Sequence, residues 1–90
     1  METRVVNLYK EPYDVYIGRG SFWGNPFIIG KDGTREEVIS RYEIHIMDNA
    51  DEFFDRLPEL IGKRLGCFCK PQACHGDILI RMIEDEIWLK

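Results

Sequence analysis

Residues 18–33 carry five glycines and a proline in sixteen positions, a composition that no regular helix tolerates. The stretch runs Gly18-Arg19-Gly20-Ser21-Phe22-Trp23-Gly24-Asn25-Pro26-Phe27, then Ile28-Ile29-Gly30-Lys31-Asp32-Gly33. It leaves room for only short elements on its N-terminal side. There, Arg4–Leu8 is a β-branched run and Tyr13–Ile17 alternates branched or aromatic residues with an acid, so both read as strands. Phe22, Trp23 and Phe27 are too apolar for an idle solvent loop. The stretch is expected to fold back over the core or line a pocket. Phe27–Ile29 would add a short strand, with a turn at Asp32-Gly33.

Beyond the glycines the periodicity becomes helical. Thr34-Arg35-Glu36-Glu37 has the form of a capping box, and Val38, Tyr42 and Ile46 follow at four-residue intervals. A helix over about 35–47 is predicted, with His45 beside its apolar stripe as a partly exposed residue rather than a ligand. Residues 51–57 predict a second helix with Phe53, Phe54 and Leu57 facing inward, which breaks or restarts at Pro58. Residues 63–69 read as a strand, with Leu65, Cys67 and Cys69 on one face and Phe68 on the other. A last helix has Asp77 in its first turn and a stripe of Ile78, Leu79, Met82, Ile83 and Ile87. The order is strand, strand, glycine loop, helix, helix, strand, helix. The fold class is α/β: one small sandwich domain over residues 1–90, with about three strands and three helices.

Composition narrows the function classes. A 90-residue chain has the size of one domain. Its net charge of −4 argues against a general nucleic-acid binder. Residues 31–59 hold nine acids and four bases, whereas residues 63–70 hold three bases and no acid. The second segment is locally positive and suits an anionic ligand; solvated strand ends would look the same. No apolar run approaches the roughly 20 residues of a membrane helix. The first residues lack the pattern of a signal peptide, so a cytoplasmic protein is expected.

All three cysteines fall within Cys67–Cys74, too close together to staple distant segments. Reduced thiols in a reducing compartment fit better. Cys74 lies at a helix start with His75 beside it and Lys70 near, a setting that lowers a thiol pKa. Cys74 is the candidate nucleophile and His75 the candidate acid or base. Cys67 and Cys69 can equally be small buried strand residues. Zinc is the alternative: Cys67, Cys69, Cys74 and His75 are four suitable ligands, although C-x-C-x4-C-H is not the usual knuckle spacing. Gly18-Arg19-Gly20-Ser21 after a strand can present backbone amides and a guanidinium to an anion. It is neither a Walker loop nor a dinucleotide fingerprint. Trp23 would stack on a base or cover the pocket, and Asn25 would bond a polar edge; core packing and a plain turn are the competing readings.

Four blocks together resemble the DUF4326 family, small uncharacterised proteins of bacteria and phages. They are Val5-Val6-Asn7-Leu8, Tyr16-Ile17-Gly18-Arg19-Gly20, Trp23-Gly24-Asn25-Pro26-Phe27, and Leu65–Pro71 with Cys74-His75-Gly76-Asp77. Phe68 stands where that family usually has tryptophan. The Cys-His pair opening the last helix is also similar to the DUF488 family, another α/β group. Both resemblances imply the fold, and neither implies a reaction.

The expected site is one anion-friendly pocket. Arg19, Trp23 and Asn25 would form one wall, and Cys69, Cys74, His75 and Asp77 the other. The expected ligand is a nucleotide or another phosphate-bearing small molecule, held by Arg19 and the helix amides. A zinc-stabilised interaction or nucleic-acid module is the alternative. No membrane partner is expected, and a phage-borne copy would work in the host cytoplasm.

Overall fold

The computed structural model describes residues 2–70 and 72–85. Among these, three parallel strands form one sheet: β1 (Arg4–Asn7), β2 (Val15–Tyr16) and β3 (Arg64–Cys67). Their order is β1-β3-β2, so β3 is central. Val5 and Val15 both register with Leu65, and Val6 and Tyr16 with Gly66.

That order forces residues 8–14 to cross β3. The crossing runs over Gly66, where a Cβ would sit 2.7 Å from the Tyr13 ring. Glycine is the residue that lets a chain pass this close to a strand. Asp14 then pins the far side. Its amide donates to the Arg64 carbonyl at 2.8 Å, and its carboxylate accepts from the Arg64 amide at 2.8 Å.

The opposite face carries the helices. They are α1 (Arg35–Asp48), α2 (Ala50–Arg56), a single 3-10 turn over Leu57–Leu60, and α3 (Gly76–Glu84). Val5, Val15 and Leu65 meet Tyr42, Ile46, Phe53, Leu57, Leu79 and Met82 in one core. The capping box of α1 is complete: Thr34 Oγ1 accepts from the Glu37 amide at 3.2 Å, and Glu37 Oε1 accepts from the Thr34 amide at 2.9 Å. Pro58 does not end the chain's helical course outright. It sits at the start of the 3-10 turn, where its missing N–H costs nothing.

The architecture is the expected small α/β arrangement of strands and helices. Three local expectations change. β2 has two ladder residues rather than five, because side-chain pairing at Asp14 takes over one end. Phe27–Ile29 forms no strand; Ile29 makes one isolated bridge to Gly33. β3 stops at Cys67, leaving Phe68 half exposed and Cys69 in the turn beyond. Pro71 and Ile87 lie outside the described residues.

Candidate functional site: a cleft floored by thiols

The carboxyl ends of parallel strands are where an open α/β sheet exposes backbone and keeps its ligands. Here a cleft of about 310 Å³ opens at that edge. Gly18 and Arg19 border it where the chain leaves β2. Cys67 contributes the end of β3, Phe68 and Cys69 the turn beyond it, and Cys74 and His75 the approach to α3. The two distant segments expected to meet, residues 18–27 and 67–77, therefore share one hollow.

The glycine loop is fixed from below. Trp23 is only 3% exposed, against Phe22 and Phe53 with ring centroids 5.0 and 5.7 Å away. Its carbonyl accepts the buried Tyr42 hydroxyl at 2.6 Å. Trp23 belongs to the core and does not line the cleft. It cannot stack on a ligand there, a correction to its expected role. Asn25 does line the cleft, yet its amide donates to the Val38 carbonyl at 3.0 Å and its oxygen accepts from the Phe27 amide at 3.0 Å. Both polar atoms of Asn25 already shape the loop.

The loop before α3 is tied on three sides. Lys70 Nζ pairs with Asp77 Oδ1 at 2.8 Å, and the Asn7 amide donates to the Lys70 carbonyl at 2.7 Å. Asp77 Oδ2 accepts from the Cys74 amide at 3.0 Å. Asp77 thus builds the loop and does not line the cleft. Arg35, the first residue of α1, reaches the Ala73 carbonyl at 3.0 Å and Gln72 Oε1 at 2.8 Å. The first amides of α3 are also engaged: Gly76 donates to Cys74 Sγ, Asp77 to the Cys74 carbonyl and Ile78 to the His75 carbonyl. They are not free for a phosphate, contrary to expectation.

At the floor, the Sγ atoms of Cys67, Cys69 and Cys74 lie within 4.8 Å of one another. All three cysteines are free. His75 Nε2 is 2.7 Å from the Ile17 carbonyl oxygen, and Nδ1 is 3.5 Å from Cys74 Sγ. A carbonyl only accepts, so Nε2 carries a proton, and in the neutral ring Nδ1 presents a lone pair to Cys74. Of the four alternative zinc ligands, the three cysteines converge and His75 is held aside.

The thiols divide their protons unequally. Cys67 is pulled down to about 5, chiefly by the hydrogen bond from Cys74, with the Cys69 amide also acting against burial. Cys74 is pushed up by that same bond and by burial, against the Gly76 amide. Two neighbouring thiols share one proton, and the bond between them favours the thiolate at Cys67 over Cys74. The cleft floor can act as a thiolate nucleophile or as a soft-metal ligand set.

Several lining residues had no clear sequence signal. Arg35 read as a helix-start residue, and Phe68 as a strand residue turned away from the cysteines. Phe27, Ile28 and Ile29 complete an apolar wall. The lining holds two guanidinium groups and no carboxylate.

The chain is 45% identical over 84 residues to an uncharacterised 12.4 kDa protein from the nrdA-td intergenic region of Enterobacteria phage T4. That match spans 89% of this chain and 76% of the relative. It is 34% identical over 87 residues to the uncharacterised protein R718 of Acanthamoeba polyphaga mimivirus, covering 77% of this chain and 65% of the relative. No solved structure matches significantly. The family model described as a domain of unknown function, DUF4326, matches residues 3–85, and the chain belongs to that family.

Proposed function

We propose that this protein binds a phosphate-bearing small molecule, a nucleotide in the first instance, in the cleft at the carboxyl edge of the sheet. The observation that carries this is the charge of the lining: Arg19 and Arg35 with no acid, in a chain of net charge −4. Among the described residues neither arginine is paired with a carboxylate. Guanidinium groups suit phosphate because their donors match its oxygens two at a time. The apolar wall of Phe27, Ile28, Ile29 and Phe68 suits a base or another flat group. The volume, about 310 Å³, is at the lower end of small-molecule sites.

Cys67, Cys74 and His75 then lie beneath the bound molecule, where a thiolate and an imidazole can take part in a reaction on it. A cytoplasmic location belongs to the same reading, since crowded free thiols persist where the compartment is reducing. In the described chain no helix is long and apolar enough to cross a membrane.

The test is thermal denaturation of the reduced protein with nucleoside mono-, di- and triphosphates, pyrophosphate and inorganic phosphate. A ligand bound only by the folded chain raises the melting temperature, by the equivalent of about 2.7 kcal/mol at a hundredfold excess over Kd. Arg19→Ala, which removes an exposed side chain, should abolish the rise without changing the unliganded melting temperature. No rise with any of these compounds at millimolar concentration would overturn the reading.

A further inference from the structure

Three thiols within 4.8 Å of one another need a reason beyond packing. They come from three different places: the end of β3 (Cys67), the turn after it (Cys69) and the residue before the N-cap of α3 (Cys74). We propose that Cys67, Cys69 and Cys74 form a three-thiolate site for zinc, with the fourth coordination position opening into the cleft. This goes beyond the anion reading and stands without it.

Geometry comes first. Thiolates held about 2.3 Å from a tetrahedral zinc stand about 3.8 Å apart. The observed sulfurs are within about 1 Å of that separation, a distance that side-chain rotation covers. A second observation concerns the sulfurs' own partners. The Cys69 amide donates to Cys67 Sγ at 3.4 Å, and the Gly76 amide donates to Cys74 Sγ at 3.4 Å. Donors aimed at sulfur favour the charged form and fix ligand orientation, as outer partners of a metal do. The set of donors is soft, which selects zinc over magnesium or calcium.

His75 is not the fourth ligand. The ligand atoms that converge are the three sulfurs alone, and the His75 ring stands outside that group, held by the bond between its Nε2 and the Ile17 carbonyl. All three cysteines line the cleft, so the remaining position faces the space where a small molecule would sit. Three thiolates and a dication leave a net charge of −1, which Arg19 and Arg35 at the rim offset. The site therefore differs from a closed structural knuckle, which surrounds its metal with four protein ligands.

The experiment uses the full chain, purified without chelator under reducing, oxygen-free conditions. Metal analysis should return one zinc per chain. Replacing it with Co2+ should give thiolate-to-cobalt charge-transfer absorption and the intense visible bands of a tetrahedral ion, both removed by added zinc. Cys69→Ser changes the cysteine with the most solvent contact. It should weaken cobalt binding by more than about 100-fold, the upper end of what loss of an outer partner costs, while circular dichroism stays unchanged. Added cyanide or imidazole should shift the visible bands by entering the fourth position. Absence of the bands, or equal cobalt affinity in Cys69→Ser, would overturn the site. Bands insensitive to both added ligands would overturn the open position. Nucleotide binding is read separately, by melting temperature, so either proposal can fail alone.

Discussion

His75 Nε2 lies 2.7 Å from the carbonyl oxygen of Ile17, a contact that joins the start of α3 to the end of β2 across the floor of the cleft. It settles which ring nitrogen faces the thiols, because only a protonated nitrogen can approach a carbonyl this way. The ring also stands edge-on to Tyr42, with centroids 5.0 Å apart.

His75→Ala should therefore cost about 2–4 kcal/mol, from an unsatisfied buried carbonyl and a lost aromatic contact. Chemical denaturation measures the loss. In the wild-type protein, nitrogen NMR of the neutral ring should show a pyrrole-like Nε2 and a pyridine-like Nδ1. The reverse tautomer would contradict the geometry.

Tyr42 is fully buried, and its hydroxyl donates to the Trp23 carbonyl at 2.6 Å. Tyr42→Phe should cost about 1–3 kcal/mol by stranding that carbonyl, and should alter tryptophan fluorescence by loosening the loop. The pH dependence has a definite sign. Burial first, and then the nearby Cys74, raise the phenol pKa above its ordinary 10.0. The Tyr42 contribution is thus complete below pH 10.0 and declines above it, where only the unfolded chain ionises. The variant's stability should fall less steeply in that alkaline range. Equal slopes would show that Tyr42 ionises as easily folded as unfolded.

The shared proton of the thiol pair predicts early reactivity in reduced, chelator-treated protein. With Cys67 held at about 5, chiefly by the bond from Cys74, alkylation should already be fast below neutral pH. Cys74→Ser keeps a hydroxyl donor, on a shorter side chain, and should move the reactivity profile only part of the way back. Cys74→Ala removes the donor and should return it toward the ordinary thiol range. The rate of iodoacetamide labelling against pH reads this directly. A wild-type profile rising only near pH 9.0, the ordinary thiol value, would contradict the shared proton.

The elements legible in the sequence are those whose causes are local. The Thr34–Glu37 capping box and the spacing of Val38, Tyr42 and Ile46 define α1 within a few residues of chain. Sheet order is different, since β1 and β2 flank β3 only because Gly66 lets the chain cross at Tyr13, fifty-odd residues away along the sequence. At the site, the meeting of the glycine loop with the cysteine stretch follows from both lying after strands of a parallel sheet. The roles within it were less legible. Trp23 is drawn inward by Tyr42 and Phe53, and Asp77 is occupied by Lys70 and the Cys74 amide. Arg35 reaches the cleft through contacts at Gln72 and Ala73 that nothing near it in the chain announces.

Gly24 packs against backbone. A Cβ there would lie 2.7 Å from the Gly18 carbonyl oxygen, and no flexible side chain is available to yield. Gly24→Ala should cost about 1–3 kcal/mol and distort the rim at Gly18 and Arg19. Ligand-induced stabilisation should be lost as it is in Arg19→Ala, but here together with a lower unliganded melting temperature, because the rim backbone itself moves. An unchanged melting temperature would mean that the two loop limbs can separate freely.

Asp14 and Arg64 offer a test of the crossing itself. Arg64 holds the Asp14 carboxyl at about 2, below its ordinary 3.8, first through side-chain hydrogen bonds of 3.1 Å to each oxygen and then through its amide. A carboxyl depressed on folding stabilises the folded chain above its unfolded pKa, so this contribution is complete above pH 3.8. It is lost progressively as pH falls through about 2. Asp14→Asn can still accept the Arg64 amide but carries no charge. The stability difference between wild type and variant should therefore be constant near neutrality and shrink as the acid range is entered, by urea midpoints at successive pH values. A difference that stays constant into that range would mean that the charge at Asp14 does not help to anchor the strand crossing, leaving the Tyr13–Gly66 contact as its principal support.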